Sequence, residues 1–179
     1  MEVFAKIRQT EVEAAAKILG VKQVSFLDYV DQALDRADHS EVIRKLVVHL
    51  RYVRPQVVTT FGPDGAYGHT DHIAISQFTT AALICAADVN FQVDGALQPH
   101  CVSKLYYRVE DQYAADQYAA LFGKIVMQFD GVDRTGVIWN DWTITTRINT
   151  ADYWATVKQA ILCHRTQFAT LGERTICRN

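Results

Sequence analysis

The sequence lacks any Cys-x-x-Cys pair; its four cysteines, Cys85, Cys101, Cys163 and Cys177, stand far apart. That spacing excludes a zinc-finger framework, and a disulfide scaffold is not expected in a chain of this size. Cys85 and Cys163 fall inside apolar helical patterns, where a free thiol packs as a small hydrophobe. A reduced, cytoplasmic setting is the expectation. Excess charge of either sign is also missing: a net charge of −2 gives no reason to expect nucleic acid or an anionic membrane as partner. Nor is there a long uninterrupted apolar run. The most apolar stretch, Ile73 to Val89, is broken by Ser76, Gln77, Thr79, Thr80 and Asp88, which reads as a buried helix and not a membrane span. At the amino end, Met1-Glu2-Val3-Phe4 is followed by Lys6 and Arg8 instead of the apolar core of a signal peptide.

What is present is ordinary globular material. A hydrophobic fraction of 49% and a charged fraction of 21% over 179 residues predict a single domain, 1–179, with a genuine core. Val3, Ile7, Val12, Ala15, Ala16 and Leu19 recur at helical spacing, and Gly20 supplies the stop. A strand is predicted over Gln23 to Leu27, then an acidic loop. Asp38 with Glu41 makes a capping box for a helix to about Val53, closed by Pro55. A strand from Gln56 to Thr60 follows, then a Gly-rich loop and a helix from about His72 to Ala87. Further strands are predicted over Lys104 to Val109 and Thr143 to Ile148, with helices over Ala114 to Phe122 and Asp152 to Phe168. The region Val89 to Val102 reads as a crossing loop. This alternation points to an α/β layered fold with a mainly parallel sheet.

The run Phe61 to Ser76 carries the chemistry. His69 and His72 are separated by Thr70 and Asp71 in a loop that leaves a strand and opens a helix. Open α/β sheets place ligands there, outside the carboxyl ends of their strands. Imidazoles and a carboxylate gathered at such a point can hold a metal or move protons.

Phe61-Gly62-Pro63-Asp64-Gly65-Ala66-Tyr67-Gly68-His69-Thr70-Asp71-His72 resembles the second signature of the LmbE-like, or PIG-L, zinc-dependent N-acetyl-sugar deacetylases. Arg8, Glu11, Ala15, Ala16, Leu19 and Gly20 resemble that family's Arg-x-x-Glu helix ending in Leu-Gly. Phe26 to Asp31 resembles its following strand and aspartate. Lys158, Ala160, His164, Arg165 and Gln167 resemble its late helix, with Thr166 where the family has serine. The resemblance implies a Rossmann-like three-layer fold and hydrolysis of an N-acetyl group from a glucosamine-type conjugate, a small-molecule substrate. It makes His72 a ligand of Zn2+. His69 would stabilise or protonate the tetrahedral intermediate, Asp71 would tune His69, and Tyr67 would polarise the amide carbonyl. Arg8 and Asp31 match positions that contact the sugar. Zinc would lower the pKa of its bound water to about 7, and three protein ligands with one open position are usual for such a site.

The family's early His-Pro-Asp-Asp motif occurs nowhere in the 179 residues. The expectation is therefore a domain without its first strands, two metal ligands and the general base, binding zinc weakly and nearly inactive. The other reading is a non-catalytic sugar- or nucleotide-binding remnant or subunit, completing its sheet with another chain or as a homo-oligomer. Single residues keep plainer readings as well. Tyr67 can simply close the loop, Arg8 can pair with Glu11, Asp31 can cap a turn, and His164 reads as structural. Tyr106, Tyr107, Trp139, Trp142, Tyr153 and Trp154 are expected in the core, with sugar stacking as the alternative.

Overall fold

The computed structural model describes residues 2–122, 126–129 and 131–167. Its elements are α1 (Glu2–Ile18), α2 (His39–Val53), β1 (Val57–Phe61), a one-turn α3 (Gly65–Gly68), α4 (Thr70–Ala87), β2 (Lys104–Arg108), α5 (Gln112–Phe122), β3 (Met127–Phe129), β4 (Val132–Arg134) and α6 (Trp154–Ile161), with 3-10 turns at Leu34–Arg36, Asp141–Thr143 and Ala151–Tyr153. Contacts divide the chain into two compact units, one of Met1–Phe26 with Thr145–Asn179 and one of Leu27–Ile144.

In the first unit, α1 packs on α6. Ala15 and Ala16 on α1 and Ala160 on α6 are buried; small residues there let the two helices approach. The chain leaves α1 through Gly20, at φ 72°. The Gly20 N–H donates to the Lys17 carbonyl and the Val21 N–H to that of Ala16, the paired bonds of a Schellman stop. Glu11 closes the unit over a long sequence distance. Its carboxylate accepts from the Thr166 N–H at 2.9 Å and from the Thr166 hydroxyl at 2.7 Å.

In the second unit, α2 packs along α4. Val42, Val47 and Leu50 form the buried stripe of α2, and Ala74, Phe78, Ala82 and Ala86 that of α4. Val42 and Val47 are fully buried, each contributing about 1.5–3 kcal/mol by leaving water. The amino end of α2 is capped as its sequence predicts: Asp38 Oδ1 accepts from the Glu41 N–H at 2.9 Å. Arg54, in the left-handed region at φ 53°, ends the helix before Pro55. Arg51, 4% exposed, caps the far end of α4. Its guanidinium donates to the carbonyls of Cys85 at 3.2 Å, Ala86 at 3.1 Å and Asp88 at 2.7 Å.

β1 pairs with β2 in parallel, Val57 opposite Lys104 through Phe61 opposite Arg108, so the α/β class holds and the pair that carries the motif is parallel. β3 and β4 form a separate antiparallel pair that the sequence did not signal. Three local expectations are corrected. Residues Gln23 to Leu27 form no strand, and Thr143 to Ile148 is a 3-10 turn followed by irregular chain; among the described residues neither finds a ladder partner. The last helix is interrupted: α6 ends at Ile161, the Cys163 and His164 N–H groups turn to the Ala160 and Ile161 carbonyls, and helix resumes over residues 165–167. Phe168, its expected end, lies outside the described residues. No helix of the described residues is long and apolar enough to cross a membrane.

Candidate functional site

β1 delivers the chain to Phe61, and the next eight residues turn sharply before α4 begins. Gly65 and Gly68 are left-handed, at φ 64° and 77°. A Cβ on Gly65 would stand 2.7 Å from Ile73 Cγ1 and 3.1 Å from the Ile73 nitrogen, and one on Gly68 would displace the Arg134 guanidinium, whose Nη1 lies 2.5 Å away; the positive φ favours glycine at both places. Between them Ala66 is also left-handed, at φ 67° and ψ −53°, close to the strained form of a γ-turn. Outside partners hold it there. Asp64 Oδ2 accepts from the Ala66 N–H at 2.9 Å, and the Ala66 carbonyl accepts from the Val137 N–H at 2.7 Å.

This turn sets the histidines. His69 is the N-cap of α4, and its Nδ1 accepts from the Asp71 N–H at 3.1 Å. An amide N–H can only donate, so the neutral His69 ring carries its proton on Nε2. His72 is the reverse. Its Nδ1 lies 3.2 Å from the Gly65 carbonyl, which can only accept, so Nδ1 bears the proton and Nε2 keeps its lone pair. The His72 ring stacks on Phe61 at 3.7 Å between centroids and 7° between planes, and on His69 at 4.5 Å and 22°. Tyr67 stands edge-on to both, 5.8 Å from His69 and 5.5 Å from His72.

Electrostatics follow the same division. Burial, with smaller repulsion from His69 and Arg108, holds His72 below the ordinary histidine value, against the opposing Gly65 carbonyl and Asp71. Burial and the negative charge of Asp31 push the Tyr67 phenol up. At neutral pH the site therefore presents a neutral imidazole lone pair, an imidazole N–H and a phenol O–H.

Asp71 has both carboxylate oxygens on a neighbouring loop: Oδ2 accepts from the Gln32 N–H at 2.7 Å and Oδ1 from the Leu34 N–H at 3.0 Å. Its backbone N–H meets His69. The loop it holds contains Asp31, and Tyr29 anchors the other end, donating to Glu41 at 3.0 Å beneath the ammonium of Lys45, 4.5 Å from the ring. The second unit thus brings together Tyr67, His69, Asp71, His72 and Asp31. Arg8 belongs to the first unit, where its charge helps hold Glu11 below the usual carboxylate range.

Sequence reasoning missed the residues behind the turn. Trp139 Nε1 donates to Asp64 Oδ1 at 3.1 Å, and Arg134 Nη1 to the Gly68 carbonyl at 3.2 Å. Asp64 was visible as a polar residue beside Gly65; nothing in the sequence pointed to a partner 75 positions away. The aromatic set is corrected too. Trp142 is 83% exposed, with Tyr107, Tyr153 and Trp154 also exposed, so these four are not core.

His72 has the tautomer and, by its lowered pKa, the neutrality of a metal ligand. Among the described residues, however, no three His, Cys, Asp or Glu side chains converge on a point that could hold a metal ion. The residues present do not by themselves fit a complete zinc site.

Comparison with known proteins agrees with the geometry. Residues 2–83 match the family described as PIG-L: GlcNAc-PI de-N-acetylase. The chain is 31% identical to 1D-myo-inositol 2-acetamido-2-deoxy-alpha-D-glucopyranoside deacetylase 2 of Catenulispora acidiphila, over 94% of this chain and 62% of that protein. It is 33% identical to the corresponding deacetylase of Streptomyces avermitilis, over 96% of this chain and 65% of that protein. The chain spans about three-fifths of the length of the curated relatives it matches. In structure it is similar to a conserved protein of Thermus thermophilus, with a TM-score of 0.63 and 25% identity over 92% of this chain and 59% of that one, a likeness that agrees with the Rossmann-like α/β class.

Proposed function

The chain belongs to the PIG-L, or LmbE-like, family, and on that footing we propose that it carries one half of the site of a zinc-dependent deacetylase of N-acetylglucosaminides. The observation that carries this reading is the pair of stacked imidazoles whose Nδ1 atoms meet opposite backbone groups, that of His69 the Asp71 N–H and that of His72 the Gly65 carbonyl. A substrate joining an N-acetylglucosamine to a polyol, as the names of the relatives say of theirs, is the class expected here.

Each residue has a role that its surroundings support. His72 offers one lone pair to a divalent cation. His69 donates from Nε2 to the oxygen on which negative charge develops, or to the leaving amine. Tyr67, kept protonated by burial and by Asp31, donates to the same acyl oxygen. Asp31 accepts from sugar hydroxyls, and Asp71 holds its loop in place. Arg8 is proposed as a further sugar contact. The described residues do not assemble a metal's ligand set. The 179-residue chain, without a His-Pro-Asp-Asp run, is accordingly proposed to bind zinc weakly and to turn over slowly.

The incomplete ligand set also supports a second reading, a non-catalytic sugar-binding subunit. Among the described residues β1 pairs only with β2, which leaves its other edge for a strand from a second copy or another chain.

The test uses purified 179-residue protein, zinc and a synthetic glucosaminyl-inositol N-acetate. Slow zinc-dependent acetate release, lost in His72→Ala, supports the first reading. Saturable sugar binding without release supports the second. Stoichiometric, tight zinc with fast turnover overturns the proposed weakness, and neither binding nor release overturns both.

A further inference from the structure

We propose that the segment from Arg134 to Trp139 is a positioning strap that fixes the ring of His72, with Trp139 as its principal positioning residue. Three hydrogen bonds tie this segment to the motif turn in opposite chain direction. Arg134 Nη1 donates to the Gly68 carbonyl, the Val137 N–H to the Ala66 carbonyl, and Trp139 Nε1 to Asp64 Oδ1. As the strap advances from 134 to 139, the turn retreats from 68 to 64. The strap is itself fastened to the end of β2: the Trp139 N–H donates to the Glu110 carbonyl at 2.9 Å, and Ile138 bridges Glu110.

The turn needs such a fastening. An alanine at φ 67° is held against its own preference, and strain of this kind persists only where neighbours over-determine it. Both polar groups of Ala66 have outside partners, and both routes lead to the strap. Its carbonyl is met directly by Val137. Its N–H is met by Asp64 Oδ2, while the other oxygen of the same carboxylate is held by the Trp139 indole. The peptide unit before Ala66 presents the Gly65 carbonyl that receives the His72 Nδ1–H. If the turn relaxes, that carbonyl swings away and the ring loses the bond that chooses its tautomer. Gly68 contributes by its missing Cβ, which leaves room for the Arg134 guanidinium.

The functional weight of this inference rests on His72 being a ligand, but its test does not. Long-range 1H–15N NMR at slightly alkaline pH reads the tautomer of a neutral histidine without zinc or substrate. In the wild-type chain His72 shows the Nδ1–H form. Trp139→Phe keeps the ring and removes only the N–H donor; the expected result is an approximately tenfold fall in the His72 Nδ1–H to Nε2–H ratio, the effect of about one hydrogen bond. Trp142→Phe, at the 83% exposed tryptophan, leaves the ratio unchanged and serves as control. Should Trp139→Phe fail to fold, Arg134→Gln at the opposite end of the strap decides alone, with the same expected direction. A folded variant of either kind that keeps the wild-type ratio overturns the proposal. Loss of stability without a tautomer change marks a merely structural strap and overturns it equally. A wild-type chain that neither releases acetate nor binds the sugar would count against the proposed function and leave this result standing.

Discussion

His69 and His72 lie ring against ring, 4.5 Å apart, with their protons on opposite nitrogens. The difference is written by the backbone. One ring faces an amide that can only donate and the other a carbonyl that can only accept, so the backbone sets the tautomer of each neutral ring. A donor and a lone pair are thereby presented side by side at the end of one strand.

The lone pair alone is a weak metal site. Equimolar zinc added to the 179-residue protein is expected to leave its thermal midpoint where EDTA leaves it, because stabilisation by a ligand grows only as its concentration exceeds Kd. Differential scanning calorimetry in both buffers is the check. A rise of several degrees with zinc would mean that further ligands converge on His72.

Asp71 is expected to act on stability through its two bonds to Gln32 and Leu34. Asp71→Ala should cost about 1.5–3 kcal/mol, the usual worth of hydrogen bonds to a charged group. Hydrogen exchange locates the loss: the Gln32 and Leu34 amides should exchange much faster, while Val42 and Val47 in the core follow only the global change. Unaltered protection at Gln32 would show that the loop stands without the carboxylate.

These roles divide into what a sequence can display and what it cannot. The Asp38–Glu41 cap, the stop at Gly20 and the helix end before Pro55 are local, so their residue types announce them. The site loop was visible for the same reason, as glycines and histidines between a strand and a helix. Partnerships over distance left no such trace. Glu11 meets Thr166 across 155 positions and Trp139 meets Asp64 across 75, and hydrophobic periodicity encodes neither. Strand prediction failed at Gln23 to Leu27 because a strand exists only with a partner, which β-propensity does not supply.

Glu11 gives the pH dependence of the first unit. The Thr166 hydroxyl chiefly holds its carboxyl below the ordinary value of 4.5, against the opposing effect of burial. With the folded pKa below the unfolded one, the unfolded chain binds more protons in the window between them, so stability rises with pH there. The contribution is present above about 4.5 and is lost as pH falls through the lower folded value. Urea midpoints from about pH 6 to about pH 3 should decline in the wild type and decline less steeply in Glu11→Gln, which keeps an acceptor but not the titration. Parallel curves would show that Glu11 is not coupled to folding.

Ala66→Gly tests the strained turn by removing the strain. Alanine in the left-handed region costs about 1–2 kcal/mol. Glycine takes φ 67° freely, but its looser unfolded chain gives back roughly 0.5–1 kcal/mol. The difference favours glycine by a few tenths to about 1 kcal/mol, so the variant should melt about 1–4 °C higher. No neighbour opposes the change, since it deletes a methyl group and keeps both backbone bonds to Asp64 and Val137. The gain should carry a cost at His72. Glycine can leave this conformation as easily as it holds it, so the Gly65 carbonyl is less firmly aimed at Nδ1. A more stable variant with a mixed His72 tautomer is therefore expected, read by calorimetry and by 1H–15N NMR on the same sample. A less stable variant would mean that Ala66 is not strained, and the strap would then have no strain to hold.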